Sequence, residues 1–150
     1  MQEIEEILIA HPFFKGIEPD DIELISRCAS NTQFRAGEFL FREGQEADRF
    51  YVIRHGKVTV ETFVPGRGPI TLQTIAPGDV IGWSWLFPPY KWNFDARSLD
   101  VTRAIMFDAK CLRGKCEEDH NLGYLLMQRF AHIIMDRLQA TRFQLLELKF

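Results

Sequence analysis

Seven of the ten glycines fall between residues 32 and 108, and they cut this part of the chain into short runs of β-prone residues. The runs are QFRAGEFLFREGQ, RFYVIRHGKVTVETFV, PGRGPITLQTIAPGD and DARSLDVTRAIMFD. Short strands separated by frequent turn signals predict a β-sandwich or barrel rather than a layered α/β domain. Within them Tyr51, Ile53 and His55 alternate with Phe50, Val52 and Arg54, and Val58 and Val60 share a face after Gly56. That period of two predicts a half-buried hairpin. The Pro65-Gly66-Arg67-Gly68-Pro69 stretch reads as an exposed tip between two strands.

The flanks are helical. Residues 3–10 and 19–29 predict two short helices separated by His11-Pro12, the second opened by Pro19 with Asp20 and Asp21 in its first turn, where negative charge complements the helix dipole. From Leu122 onward little would break one long helix. On it Met127, Ala131, Ile134, Leu138, Thr141, Leu145 and Leu148 recur at alternating steps of four and three, the seam of a two-helix coiled coil. A neighbouring row of Leu126, Phe130 and Ile133 can pack on the β body. The expectation is a parallel homodimer, with a helix packed only within its own subunit as the alternative.

Composition excludes several functions. With 46% hydrophobic and 26% charged residues the 150-residue chain is a globular mixture able to bury a core as one domain, 1–150. A formal net charge of −3 argues against direct DNA binding, which needs a clustered excess of Lys and Arg. The acidic start MQEIEEILIA does not read as a signal peptide, and no run has the length of a membrane span, so the expected location is cytoplasmic with no membrane partner. Cys28, Cys111 and Cys116 are an odd set without zinc spacing, and three reduced thiols are expected. The four histidines are scattered and the serines lie in no nucleophile motif, so neither a metal site nor a catalytic constellation is expected, and the chain does not read as an enzyme.

All three tryptophans lie within ten positions, in GDVIGWSWLFPPYKW, with Lys91 and Arg97 nearby. Aromatic faces beside a cation suit an amphipathic or anionic small molecule. Filling of a small β-rich core is the alternative.

The order and spacing of four segments then make a specific match. GEFLFREG (37–44), ADRFYVI (47–53), GKV (56–58) and GDVIG (78–82) together resemble the cyclic nucleotide-binding domain of catabolite activator-type (Crp/Fnr-like) regulators, kinase regulatory subunits and gated channels, over roughly residues 12–145. The resemblance implies a mainly β fold with flanking helices (α+β): a double-stranded β-helix or jelly-roll β-roll (32–108) after N-terminal helices (1–31), with a phosphate-binding cassette at 78–97 and C-terminal helices at 109–150. It also implies a regulatory, ligand-binding role in signal transduction. Gly37, Gly44, Gly56 and Gly78 suit a tightly wound roll.

In that family a short helix after the last glycines presents backbone N–H groups to the cyclic phosphate, and residues 82–86 hold that place. A glutamate just after the last glycine takes the ribose hydroxyl, and an arginine about ten residues later pairs with the phosphate. Here Trp83 replaces the glutamate, the arginine position falls near Trp92 and Asn93, and no arginine occurs between Gly82 and Asp95. Ordinary cyclic AMP or cyclic GMP is therefore not expected to bind. The expected ligand pocket comprises Ile81, Gly82, Trp83, Ser84, Trp85, Leu86, Trp92, Arg97, Ser98 and Thr141, the last matching a threonine that meets the purine base. Arg97 either replaces the missing anion partner or faces solvent on its strand.

No cofactor is certain; a non-standard nucleotide or another small anionic or aromatic ligand fits. The sequence reads as a stand-alone sensor without a helix-turn-helix, whose ligand enters between the roll and the long helix and which signals to an unknown protein effector. A ligand-free adaptor with a tryptophan-plugged pocket and a sensing subunit of a transcription regulator are the alternatives.

Overall fold

The computed structural model describes residues 2–149. Helix α1 (Gln2–Ala10) and α2 (Pro19–Ser26) precede eight strands, β1 (Ala29–Phe34), β2 (Phe39–Phe41), β3 (Arg49–His55), β4 (Val58–Val64), β5 (Gly68–Ile75), β6 (Val80–Ile81), β7 (Asp95–Ser98) and β8 (Thr102–Asp108). Helices α3 (Ala109–Glu118) and α4 (His120–Lys149) follow. The strands form two antiparallel four-stranded sheets, ordered β1-β8-β3-β6 and β2-β7-β4-β5. This is the expected β-roll with N-terminal helices and a long C-terminal helix. Two compact units divide inside α3, one running to Gly114 and the other starting at Lys115.

Three local expectations are corrected. Helix α2 ends at Ser26, not residue 29, because the backbone turns into β1, where Ala29 opposes Phe107 and the Cys28 carbonyl accepts from Asp108 N at 2.9 Å. Strands β3 and β4 are not a half-buried hairpin. They lie in different sheets, and Phe50, Tyr51, Val52 and Ile53 are all buried, since β3 is an interior strand between β8 and β6. Gly56 makes the crossing possible. Its φ is 92°, and a Cβ there would stand 2.5 Å from the Val101 carbonyl and 2.6 Å from Thr102 Oγ1.

The third correction concerns the thiols. Cys28 and Cys111 form a disulfide, with Cα atoms 5.6 Å apart across 83 residues of sequence, and Cys116 alone is free. Pairing of β1 with β8 is the reason: Cys28 just precedes β1, and Cys111 lies in the first turn of the helix that continues β8.

Aromatic layers build the core of the first unit. Phe50 stacks on Phe107 at 4.6 Å between ring centroids, and Phe14, from the turn after α1, tilts onto Phe107 at 5.6 Å. His11 opens that turn. Its Nδ1 accepts from Phe13 N at 3.2 Å, and its Nε2 donates to the Ile53 carbonyl at 3.3 Å, a pairing that defines the neutral tautomer. Burial lowers its pKa, against the raising effects of the Ile53 carbonyl and Asp79.

In the second unit Asp119 caps α4, its Oδ1 accepting from Asn121 N at 3.1 Å and Leu122 N at 3.2 Å. Gly123 lets α4 approach α3 closely, since a Cβ there would lie 3.1 Å from the Cys116 carbonyl. Leu122, Leu126 and Phe130 are buried, whereas Met127, Leu138, Leu145 and Leu148 are exposed. No helix among the described residues is long and apolar enough to cross a membrane.

Candidate functional site

Strand β6 delivers the chain into Gly82, whose φ of 102° bends it back under the roll. A Cβ at Gly82 would stand 2.7 Å from Trp92 Cη2, so only glycine leaves room for that indole. A 3-10 turn over Ser84–Leu86 follows, closed by Leu86 N donating to the Trp83 carbonyl at 3.0 Å. The return arm is tied to the loop between β2 and β3: Ala47 N donates to the Tyr90 carbonyl at 2.7 Å, Trp92 N to the Gln45 carbonyl at 3.0 Å, and Gly44 N to the Trp92 carbonyl at 2.9 Å. Asp95 Oδ1 accepts from Glu43 N at 2.7 Å just beyond.

The three tryptophans have separate positions. Trp92 is 1% exposed and stacks on Phe41 at 3.7 Å with the rings 10° from parallel. Its Nε1 is buried and has no hydrogen-bond partner. Trp85, also 1% exposed, stacks on Phe50 at 5.0 Å and so joins the Phe50–Phe107 layer. Trp83 is half-buried and meets Phe94 edge-on at 6.2 Å. Two of the three thus fill core, as the alternative reading of the cluster held, and Trp83 keeps an open face.

Arg97 is committed away from this segment. Across β4 and β7, Val60 faces Ala96 and Thr59 faces Arg97, so alternation puts Arg97 and Thr59 on the side opposite the buried Val60 and Ala96. There Arg97 donates to Glu61 Oε2 from Nη2 at 2.8 Å and from Nε at 3.2 Å, and Thr59 Oγ1 donates to the same oxygen at 2.7 Å. Glu61 is 2% exposed. Of the two readings of Arg97, the solvent-side one is the nearer, with a buried acid as its partner.

Ser98 Oγ donates to the Asp100 carbonyl at 2.7 Å, holding the turn into β8. Thr141 is exposed on α4, and its hydroxyl donates back to the Arg137 carbonyl at 2.9 Å. Ile81, Gly82, Trp83, Ser84, Trp85, Leu86 and Trp92 therefore come together as one segment, while Arg97 and Ser98 act within the sheet and its turns.

Sequence reading missed two residues. Glu61 is the lone acid in the run VTVETFV, and alternation with Val58 and Val60 puts it on the polar face, so its burial against Arg97 is not marked locally. Arg113, on α3, donates from Nη1 to the Trp85 carbonyl at 2.6 Å and lies over the Tyr90 ring at 4.4 Å. No local pattern flags it, because its partners lie 23 and 28 residues away.

A two-sheet roll with a glycine-gated turn after β6 defines a class, and comparison with known proteins specifies it. The profile of the cyclic nucleotide-binding domain matches residues 31–119, and the chain belongs to that family. It is 27% identical over 147 residues to the CRP-like cAMP-activated global transcriptional regulator of Mycobacterium tuberculosis, an alignment covering 98% of this chain and 64% of the regulator. The chain thus spans a little under two thirds of that relative's length.

Among solved structures, a candidate cyclic nucleotide-binding protein from Geobacter metallireducens superposes with a TM-score of 0.81 at 25% identity, covering 92% of this chain and 99% of the other. A cyclic nucleotide-binding-like protein from Brucella abortus gives 0.61 at 27% identity, covering 77% and 98%.

Proposed function

We propose that this chain is a regulatory sensor domain that takes a small ligand in its β-roll and signals through α4 to a protein effector, and that ordinary cyclic AMP and cyclic GMP are not its ligands. One observation carries the negative part. The family's phosphate-pairing arginine position falls near Trp92 and Asn93, and Trp92 is fully buried on Phe41 and against Gly82. Trp83 replaces the sugar-binding acid, and Arg97 is paired with Glu61. Loss of a charge-assisted pair to a buried phosphate costs a few kcal/mol, on the order of a hundredfold in affinity.

Titration calorimetry with cyclic AMP and cyclic GMP tests this directly. No binding at micromolar concentration is expected, and a micromolar or tighter complex with either nucleotide overturns it. The exposed row of Met127, Leu138, Leu145 and Leu148, with Ala131, Ile134 and Thr141 between, supports a homodimer through α4.

A second reading is favoured by the burial of Trp85 and Trp92: a ligand-free adaptor whose surface near Pro88-Pro89-Tyr90, with both prolines exposed, binds a protein. Native mass spectrometry of protein from its own cells separates the two. A co-purifying small molecule supports the sensor, and its repeated absence supports the adaptor.

A further inference from the structure

The first turn of α3 is held from two sides by side chains two residues apart. Cys111 is bonded to Cys28 at the entry to β1, and Arg113 grips residues 85 and 90 through the Trp85 carbonyl and the Tyr90 ring. Backbone and cap bonds add to the first anchor: Asp108 N donates to the Cys28 carbonyl at 2.9 Å, and Cys111 N to Asp108 Oδ1 at 2.9 Å. The second anchor is the Arg113 guanidinium, which reaches both a backbone carbonyl and a ring of residues 82–92.

A helix turn moves nearly as a rigid body, because its backbone hydrogen bonds fix each residue against the next. Displacing Cys111 therefore displaces Arg113, a side chain that bridges α3 to the cassette. Where disulfides form in thiol-rich compartments they are usually transient and redox-sensing.

We propose that the Cys28–Cys111 disulfide is a redox control on the cassette: closed, it fixes the first turn of α3 so that Arg113 clamps residues 85–90, and opened, it releases that clamp. This rests on reading residues 82–92 as the ligand-facing cassette. Closing the bond joins the two sulfurs, and the two electrons and two protons lost from the thiols go to a small disulfide oxidant such as glutathione disulfide, which becomes two thiols. A dithiol reverses the step, transferring two electrons and two protons to the protein and closing its own ring disulfide. Cys116 stands outside the exchange: burial, with Asp119 and Glu117 nearby, pushes its thiol up and leaves little thiolate to attack.

Hydrogen–deuterium exchange on the full chain carrying Cys116→Ser tests the proposal without any ligand, so its result is independent of the calorimetry above. Protein oxidised with glutathione disulfide is compared with the same protein treated with dithiothreitol, and the bond is followed by the mass added on alkylation. On reduction, exchange at residues 84–90 and 109–113 should rise about tenfold, while β3 and β8 stay protected. Arg113→Ala should give the fast cassette exchange already in the oxidised protein and remove any further effect of dithiothreitol there, and Cys28→Ser with Cys111→Ser should behave as the reduced form. Failure of the bond to form under glutathione disulfide would overturn the proposal. So would unchanged cassette exchange after reduction, or an equal rise across β3 and β8, which would make the bond a general staple.

Discussion

Trp92→Ala should be among the most damaging single substitutions in this protein, and its size can be worked out. Fully burying a tryptophan removes roughly 200 Å² from water, or about 5 kcal/mol at 25 cal/mol/Å². An extended-chain reference overstates that area, and truncation of large buried aromatics is observed to cost about 3–5 kcal/mol. The 3.7 Å stack on Phe41 is also lost, and Gly82 has no side chain to fill the gap. A loss of about 4 kcal/mol is expected. For a chain of this length it lowers the melting temperature by roughly 8–16 °C, within the roughly 5–15 kcal/mol of a typical domain.

Trp92→Phe gives the sharper comparison. It keeps a ring on Phe41 but removes the buried Nε1–H that has no partner, a group whose burial costs about 1–3 kcal/mol. That relief offsets much of the lost packing, so a net cost of only about 1 kcal/mol is expected. Urea unfolding followed by far-ultraviolet circular dichroism measures both variants. The packing argument fails if Trp92→Ala costs less than about 1 kcal/mol, and the orphaned-donor argument fails if Trp92→Phe costs as much as Trp92→Ala.

Gly56→Ala should cost more than about 2 kcal/mol, since positive φ and a 2.5 Å approach to the Val101 carbonyl act together; denaturant midpoints read this. Arg97→Met should destabilise by about 2 kcal/mol and exceed Glu61→Gln at about 1 kcal/mol. The first strands a buried carboxylate with only Thr59, while the second leaves a guanidinium already about one-third exposed, 36% by side chain; equal losses in chemical unfolding would contradict it. His11 is neutral in the fold with a lowered pKa, so the unfolded chain binds more protons between that value and about 6.5. Stability should fall as pH drops through that window. His11→Asn, which can still cap the Pro12–Phe14 turn, should lack that part of the slope when midpoints are compared across pH.

How far the sequence reveals this molecule depends on the range of each interaction. Glycine punctuation and alternation are local, and they lead to the roll, its turns and the flanking helices. The run VTVETFV reads as a strand, but which sheet it joins depends on Gly56 meeting Val101 and Thr102, some 45 residues on, so β3 and β4 look like a hairpin until the fold separates them. The Cys28–Cys111 bond follows from the β1–β8 register, to which no cysteine spacing points.

Within the candidate site the replacement of the expected acid and arginine is legible residue by residue. The different fates of Trp83, Trp85 and Trp92 are not, because they depend on which ring each finds: Phe94, Phe50 or Phe41. Arg113 was invisible for the same reason.

The hydrogen bonds that tie Tyr90 and Trp92 to Gln45, Ala47 and Gly44 make two distant stretches of sequence a single mechanical part. Any rearrangement of residues 87–92 must either break three backbone hydrogen bonds or carry residues 43–47 with it. Those residues lead directly into β3, an interior strand of the first sheet. A push on the return arm is therefore felt at the start of β3, so this segment transmits displacement to the sheet rather than absorbing it as a loose loop would.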